Sequence, residues 1–272
     1  MKSIRLRYWI GVAALFWALS PAHALVFAIN EGVTYRVPYS EIRERYAAIA
    51  SDLSQILQQP VTILPVTDYP TLRRGLADRS YELAMVHPAH ISILAMKNWG
   101  YRLVVVTKGF QTYSANFLVK TDSPLKTMNE LRGTKMGAPD EDSITSWMVR
   151  ATLRDVGISS DQVRIYYTRY QDAVPFFVDN DLTHTGATAA SGVIKNWTGR
   201  GGRVLGKSRA VPIKHVIASP VMSPTQVEKV RQYLSGLDSS EEGKKKLAPT
   251  KWQGFEPYDA EAMMALGVWL GL

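Results

Sequence analysis

The sequence predicts an α/β protein of two β/α lobes joined by a hinge of crossing strands. Three observations carry this expectation. Short apolar runs alternate with amphipathic stretches over residues 25–107, the pattern of a parallel sheet covered on both faces by helices. The alternation then restarts at residue 116. No low-complexity or Gly/Ser-rich linker separates the halves, so the connections between them are short and ordered.

The first lobe opens with LVFAIN (25–30), a short buried strand that runs into the loop EGVTYRVPY. In SEIRERYAAIASDLSQIL, residues Ile42, Tyr46, Ile49, Leu53 and Ile56 come at spacings of 4, 3, 4 and 3. That is one face of a helix, with Ser40 as its cap. VTILPV (61–66) is a strand, and Asp68 with Pro70 opens a second helix carrying Leu72 and Leu76. YELAMV (81–86) is a strand, HPAH starts a helix through Trp99, and YRLVVVTKG is a fourth strand.

In the second series NFLVK (116–120) is a strand, and Thr127 with Glu130 forms a capping box before a short helix ended by Gly133. TKMGAP is a strand, PDEDSITSWMVRATL (139–153) enters a helix with Gly157 beyond its end, and QVRIYYT is a strand. QDAVPFFVDN and AASGVIKNW are helices on either side of the strand TGAT, and RVLG and VPIKHVIAS are extended. Ser223 and Pro224 cap a helix through Leu237, and two helical segments finish the chain. The expected organisation is a leader over 1–24, a first lobe over 25–112, a second lobe over 113–208, and a return to the first lobe over 209–272.

The leader differs in kind from the rest of the chain. Lys2, Arg5 and Arg7 precede the apolar run WIGVAALFWALS and the A-x-A site Ala22-His23-Ala24, which is the pattern of a cleaved secretory signal peptide. A membrane anchor fits less well, since the apolar run has roughly 12 residues against about 20 needed to span a bilayer. Cleavage lowers Lys+Arg from 32 to 29 against 24 acids, so the formal charge falls from +8 to +5. That moderate basicity does not call for nucleic acid. The chain has no cysteine, which excludes a disulfide framework, a thiolate zinc site, a cysteine nucleophile and a lipid-modified N-terminus. A protein exported to the periplasm is expected.

In open α/β sheets, ligands bind beyond the carboxyl ends of the strands. There the chain places Asn30-Glu31-Gly32, Asp68-Tyr69, His87-Pro88 and Pro139 to Ser146, so a cleft between the lobes is where they converge. The last segment sets Ser143, Thr145 and Ser146 at a helix start. One hydroxyl suffices to cap a helix, whereas several beside unpaired N–H groups and a positive dipole end can hold an anion. Asp140, Glu141 and Asp142 complicate that reading. They complement the helix dipole, yet they repel an anion unless they point outward or bind something else.

The order and spacing of four stretches add a resemblance: DYPTLRRGLADRSYELAMVHPAH, GFQTYSANFLVKTDSPLKTMNELRGTKMGAPD, YTRYQDAV and LGKSRAVPIKHVIASP. Together they resemble the periplasmic substrate-binding proteins of phosphate/phosphite/phosphonate ABC transporters, of the type II periplasmic binding protein fold. The resemblance implies that Tyr69, Tyr113 and the Ser143–Ile144–Thr145 segment hold an oxyanion. Ile144 replaces a hydroxyl of the family's motif, with its backbone N–H still available and Ser146 as a possible substitute donor. Gln171 stands where the family often has a His, and it donates a neutral hydrogen bond but carries no charge. Relatives that recognise an aminoalkyl group have acids near Ser191 and Lys214. A hydroxyl and a cation here disfavour an amino-phosphonate and favour a plain or additionally acidic oxyanion.

The resemblance further implies uptake: two lobes close on the ligand and dock on an ABC permease in the inner membrane. A periplasmic sensor subunit passing ligand occupancy to a membrane signalling receptor is the alternative. His87 is expected to line the cleft as a hydrogen-bonded histidine, and His87 with His90 lacks a third ligand for a metal. His184 fits a turn, GRGGR (199–203) lacks the spacing of a phosphate-binding loop, and EEGKKKL (241–247) reads as a solvated helix face. Trp252, Phe255 and Trp269 are expected to pack against the first lobe. There is no G-x-S-x-G and no H-E-x-x-H, so no catalytic residue, cofactor or metal is assigned.

Overall fold

The computed structural model describes residues 24–32 and 37–272. The expected leader lies outside the described residues except for Ala24. Eleven described strands form two sheets. In the first lobe β1 (Leu25–Ile29) lies between β2 (Val61–Pro65) and β3 (Leu83–Val86), and β10 (His215–Ala218), β4 (Arg102–Thr107) and β11 (Phe255–Glu256) extend the sheet beyond β3. The second-lobe sheet has the order β7 (Arg164–Thr168), β6 (Lys135–Pro139), β8 (Thr185–Thr188), β5 (Asn116–Val119), β9 (Arg203–Lys207).

Neither sheet is purely parallel, which corrects the sequence expectation. β1 is parallel to β2 and β3, but β10 is antiparallel to both β3 and β4. In the second sheet β6 is parallel to β7 and β8, whereas β5 is antiparallel to β8 and β9. β5 and β10 are the first strands after each crossing between lobes. Each enters its new sheet from the hinge side, against the direction set by the helix-connected strands. The two crossings run side by side. They are joined by an isolated bridge between Tyr113 and Val211 and by Val211 N–H to Tyr113 O at 2.8 Å and Ile213 N–H to Phe110 O at 3.2 Å.

Helix α1 (Tyr39–Leu57) buries Ile42, Tyr46, Ile49 and Leu53 as the spacing predicts, but the last buried position is Leu57, and the expected Ile56 is only half-buried. Its start differs: Pro38 precedes the helix, and Ser40 lies inside the first turn without capping it. Proline lacks the N–H that a helix start leaves unpaired. Helices α2 (Tyr69–Ala77) and α3 (Ala89–Trp99) cover the other face of the first sheet. Helix α4 (Ile144–Asp155) serves the second lobe, and one hydrophobic cluster runs from Leu72 and Ile91 in the first lobe to Phe117, Met136 and Met148 in the second. In chain order α5 (Val174–Asp179) and α6 (Ser191–Gly199) precede and follow β8, while α7 (Pro224–Gly236) and α8 (Glu241–Leu247) come after β10.

The C-terminal helix α9 (Ala260–Leu270) joins the same cluster through Met263 and Leu270. Trp252 and Phe255 pack within the first lobe as expected. Trp269 does not. Its indole donates to Asp155 at 2.9 Å, its carbonyl accepts from Arg154 at 2.6 Å, and Arg209 lies over its ring. Residues 154 and 155 end α4, so Trp269 faces the second lobe, because α9 bridges α3 and α4 instead of sitting on one lobe.

Candidate functional site

The cleft between the lobes holds a cavity of about 1410 Å³ that is partly open to solvent. Helix α2 enters it from the first lobe. Asp68 accepts Thr71 N–H at 2.7 Å and Pro70 occupies the first turn, which fixes the helix start and sets Tyr69 at the cavity wall. Burial, together with the fields of Asp142 and Asp140, pushes the Tyr69 phenol well above its ordinary range, so its hydroxyl keeps its proton.

From the second lobe α4 enters with Ser143 as its cap. The Ser143 hydroxyl accepts Ser146 N–H at 3.2 Å and donates to the Ser146 hydroxyl. Ser143 N–H is bonded to Asp140 O. Of the first-turn donors this leaves the N–H groups of Ile144 and Thr145 without an acceptor among the described residues, because neither has a carbonyl four residues back inside the helix. Both residues line the cavity. The Ile144 side chain is buried in the hydrophobic cluster, so the position forgoes a hydroxyl and keeps the backbone donor at the cleft.

Tyr113, on the first crossing, completes the centre. Its hydroxyl lies 3.3 Å from Thr145 Oγ1 and receives Gln171 Nε2 at 2.7 Å. The Gln171 amide is oriented by its other end, since Oε1 accepts Ala189 N–H at 2.7 Å and the Thr188 hydroxyl at 3.1 Å. The NH₂ group therefore faces the cleft. With Gln171 donating to it, the Tyr113 hydroxyl has its own proton free to donate toward Thr145 or a bound group.

His87 lines the cavity beside this centre. A Cβ on Gly32, whose φ is +116°, would come within 3.0 Å of the His87 ring, so glycine there lets the ring approach the backbone. His87 Nδ1 lies 3.1 Å from Ile213 O, which assigns the proton to Nδ1 and leaves Nε2 as an acceptor. Burial, and then the field of Lys214, lowers this imidazole to about 4, so it is neutral at pH 7 and adds no positive charge.

The three acids divide their work. Asp140 accepts Asp142 N–H at 2.9 Å and shapes the turn. The Glu141 carbonyl accepts from Arg150 at 3.1 Å. Asp142 crosses the cleft: Arg73 Nη2 on α2 reaches its two oxygens at 2.8 and 2.6 Å, and His90 Nε2 on α3 lies 3.3 Å away. Burial disfavours the Asp142 carboxylate, but the hydrogen bonds from His90 and Arg73 outweigh it and hold the carboxyl down at about 2. His90 stacks on Trp147 with ring centroids 5.6 Å apart, and Arg150 covers the same indole at 4.6 Å. Two residues of the first lobe thus grip Asp142, in the turn before α4, and Trp147 on α4.

Three expected site residues lie elsewhere. Ser146 is buried and its hydroxyl donates to Pro139 O at 3.0 Å, so it serves the strand-to-helix turn and does not replace the missing hydroxyl of Ile144. Ser191 begins α6, and its neighbours Ala190 and Gly192 line the cavity while Ser191 does not. Lys214 is outside the lining, its ammonium 4.0 Å from the ring centroids of both Phe110 and Trp252. The second crossing hands its backbone to β4, with Lys214 O accepting Thr107 N–H, and this turns the side chain between those rings. Burial lowers Lys214 to about 8, against the attraction of Glu31.

Arg73 is the functional candidate that the motifs pass over. It comes four positions after Tyr69 on α2, hence on the same face, and its guanidinium lies 5.9 Å from the Tyr69 ring. A smaller cavity of about 340 Å³, lined in part by Glu31, Arg45, His87 and Trp252, adjoins the main one at His87.

A family model described as the periplasmic substrate-binding protein of phosphonate ABC transporters matches residues 32–263. No curated protein matches the chain. Among solved structures, a Xanthomonas citri protein bound to ATP is similar at a TM-score of 0.72 and 16% identity, with 91% of this chain and 97% of that one covered. PhnD1 of Prochlorococcus marinus, in complex with methylphosphonate, gives 0.64 and 13%, over 92% and 97%. The aliphatic sulphonate-binding protein SsuA of Escherichia coli gives 0.56 and 15%, over 92% and 86%. At these identities the structures share the type II periplasmic binding fold with this chain.

Proposed function

The chain belongs to the periplasmic substrate-binding proteins of phosphonate ABC transporters, and from that premise we propose that it captures an oxyanion of the phosphonate, phosphite or phosphate class between its lobes and delivers it to an inner-membrane permease. One observation carries the reading. The Tyr113 hydroxyl, the Gln171 amide, Thr145 and the unpaired N–H groups of Ile144 and Thr145 meet in one interlobe cavity. Donors fixed in advance replace the water shell of an anion at little reorganisation cost, and a helix N-terminus favours negative charge.

Ser143 contributes by holding that first turn, and Tyr69 supplies a protonated hydroxyl from the opposite lobe. His87 is a neutral neighbour. The Arg73–Asp142 pair joins the lobes and so favours the closed form, which is the form a permease reads. In this reading the site binds and releases without chemistry, and residues 1–24 direct export to the periplasm.

Isothermal titration with methylphosphonate, phosphite, phosphate and sulfate tests the proposal. At least one phosphorus oxyanion is expected to bind, and Thr145→Val to weaken it by about tenfold or more, the loss of a hydrogen bond to a charged group being about 1.5–3 kcal/mol. Binding of sulfate alone, or an unchanged affinity in the Thr145 variant, would overturn the assignment.

A further inference from the structure

We propose that the ligand is a phosphonate or phosphomonoester carrying a planar, uncharged organic body. The proposal rests on the oxyanion reading and names the ligand class for the same cleft. The cavity of about 1410 Å³ far exceeds what a bare headgroup fills. A tetrahedral oxyanion displaces roughly two or three waters of about 30 Å³ each, and cavities of about 300–1,000 Å³ already enclose drug-sized ligands.

Parted lobes do not account for the volume. Arg73 meets Asp142 at 2.6 Å and His90 stacks on Trp147, both across the lobes.

Beyond the polar centre the walls change character. Tyr39 from the first lobe and Tyr170 from the second line the cavity with 52% and 41% of their surface exposed. Large aromatic side chains left open on two walls of one cleft offer flat faces that a planar group can cover. Tyr39 is steadied by its hydroxyl, 3.2 Å from the Thr67 hydroxyl, and the Arg169 guanidinium lies 5.2 Å from the Tyr170 ring. Pro38 and Val193 add apolar surface on the same two lobes.

The charges say what the body is not. Asp68, Asp140 and Asp172 line the cavity and form no ion pair among the described residues. Lys214, the cation that would favour a second acidic group, is held between two rings outside the lining. Against these three carboxylates the described lining sets one cation without an ion pair, Arg169, which already lies over the Tyr170 ring, so a second anionic group meets more repulsion than attraction.

Titration of the purified protein with methylphosphonate, phenylphosphonate, adenosine monophosphate and adenosine triphosphate tests this. Phenylphosphonate and the monophosphate are expected to bind about tenfold tighter than methylphosphonate, the scale of one ring-on-ring contact, and the triphosphate more weakly than the monophosphate. Tyr39→Ala and Tyr170→Ala, both at exposed positions, are expected to weaken the planar ligands about fivefold more than methylphosphonate. Methylphosphonate binding as tightly as the planar ligands, or equal weakening of all by the two variants, overturns the inference while leaving the oxyanion site intact. No binding by any of the four overturns the oxyanion reading, and this inference with it.

Discussion

Arg73 and Lys214 are both first-lobe cations close to the cleft, and they end in opposite situations. Arg73 reaches across to Asp142 on the second lobe, beside His90. Lys214 stays within its own lobe, between Phe110 and Trp252. A cation helps to close a two-lobed binder only if its partner lies on the other lobe, because only then does the contact differ between open and closed states. Lys214 keeps its partners in both.

The largest expected effect separates the two regions by pH. His87, beside Lys214, and His215, buried between Ser92 and the Pro212 carbonyl, are both lowered to about 4, chiefly by burial. Between about pH 6.5 and 4 the unfolded chain binds protons that the folded chain refuses, so stability falls as pH falls, by about 1.4 kcal/mol per unit for each such group. Asp142 has the later window: its contribution is present above pH 3.8 and is lost as pH falls through about 2. Thermal unfolding from pH 7 to 4 is therefore expected to show a steep loss of midpoint that persists in Asp142→Asn. A flat midpoint across that range would mean the histidines are not buried neutral.

The interlobe grip comes next. Arg73→Ala and Asp142→Ala are each expected to weaken ligand binding roughly fivefold, about 1 kcal/mol, the modest value suited to a pair whose side chains are 34% and 41% exposed. The double variant should lose little more than either single one, since both remove the same contact. Additive losses would show that the two residues act separately. Faster ligand release, with the association rate nearly unchanged, is the expected kinetic signature.

Lys214→Met should do least. Ligand affinity is expected to stay within about twofold, and stability within about 1 kcal/mol, as the lost ring contacts offset the relief of a partly buried charge. Because the folded state binds the Lys214 proton less tightly than the unfolded one, the wild type should gain stability relative to the variant as pH rises from about 8 toward 10.5. A tenfold loss of affinity in this variant would restore Lys214 to the site.

The same contrast shows what a sequence can reveal. The buried face of α1, Ile42, Tyr46, Ile49 and Leu53, was legible because helical spacing is a local property. Ser143 as the cap of α4 was not singled out among the neighbouring hydroxyls and acids, whereas the Thr127–Glu130 capping box was legible for the same local reason. Strand direction was not, since β5 and β10 carry the same apolar runs whichever way they enter a sheet. Tyr69, Tyr113, Thr145 and Gln171 line one cavity, and it was the family resemblance, not local pattern, that named them together. Arg73 shared a helix face with Tyr69, but its partner is 69 residues away. Lys214 lies between Phe110 and Trp252, which nothing local in IKH marks as its neighbours.

A crystal structure of the protein with methylphosphonate would decide where the anion sits. The phosphonate oxygens are expected within hydrogen-bonding distance of the Ile144 and Thr145 N–H groups, Thr145 Oγ1 and the Tyr113 hydroxyl, with Arg73 still on Asp142. An anion bound instead against Lys214, or in the smaller cavity beside Arg45, with the start of α4 left empty, would contradict the proposed site.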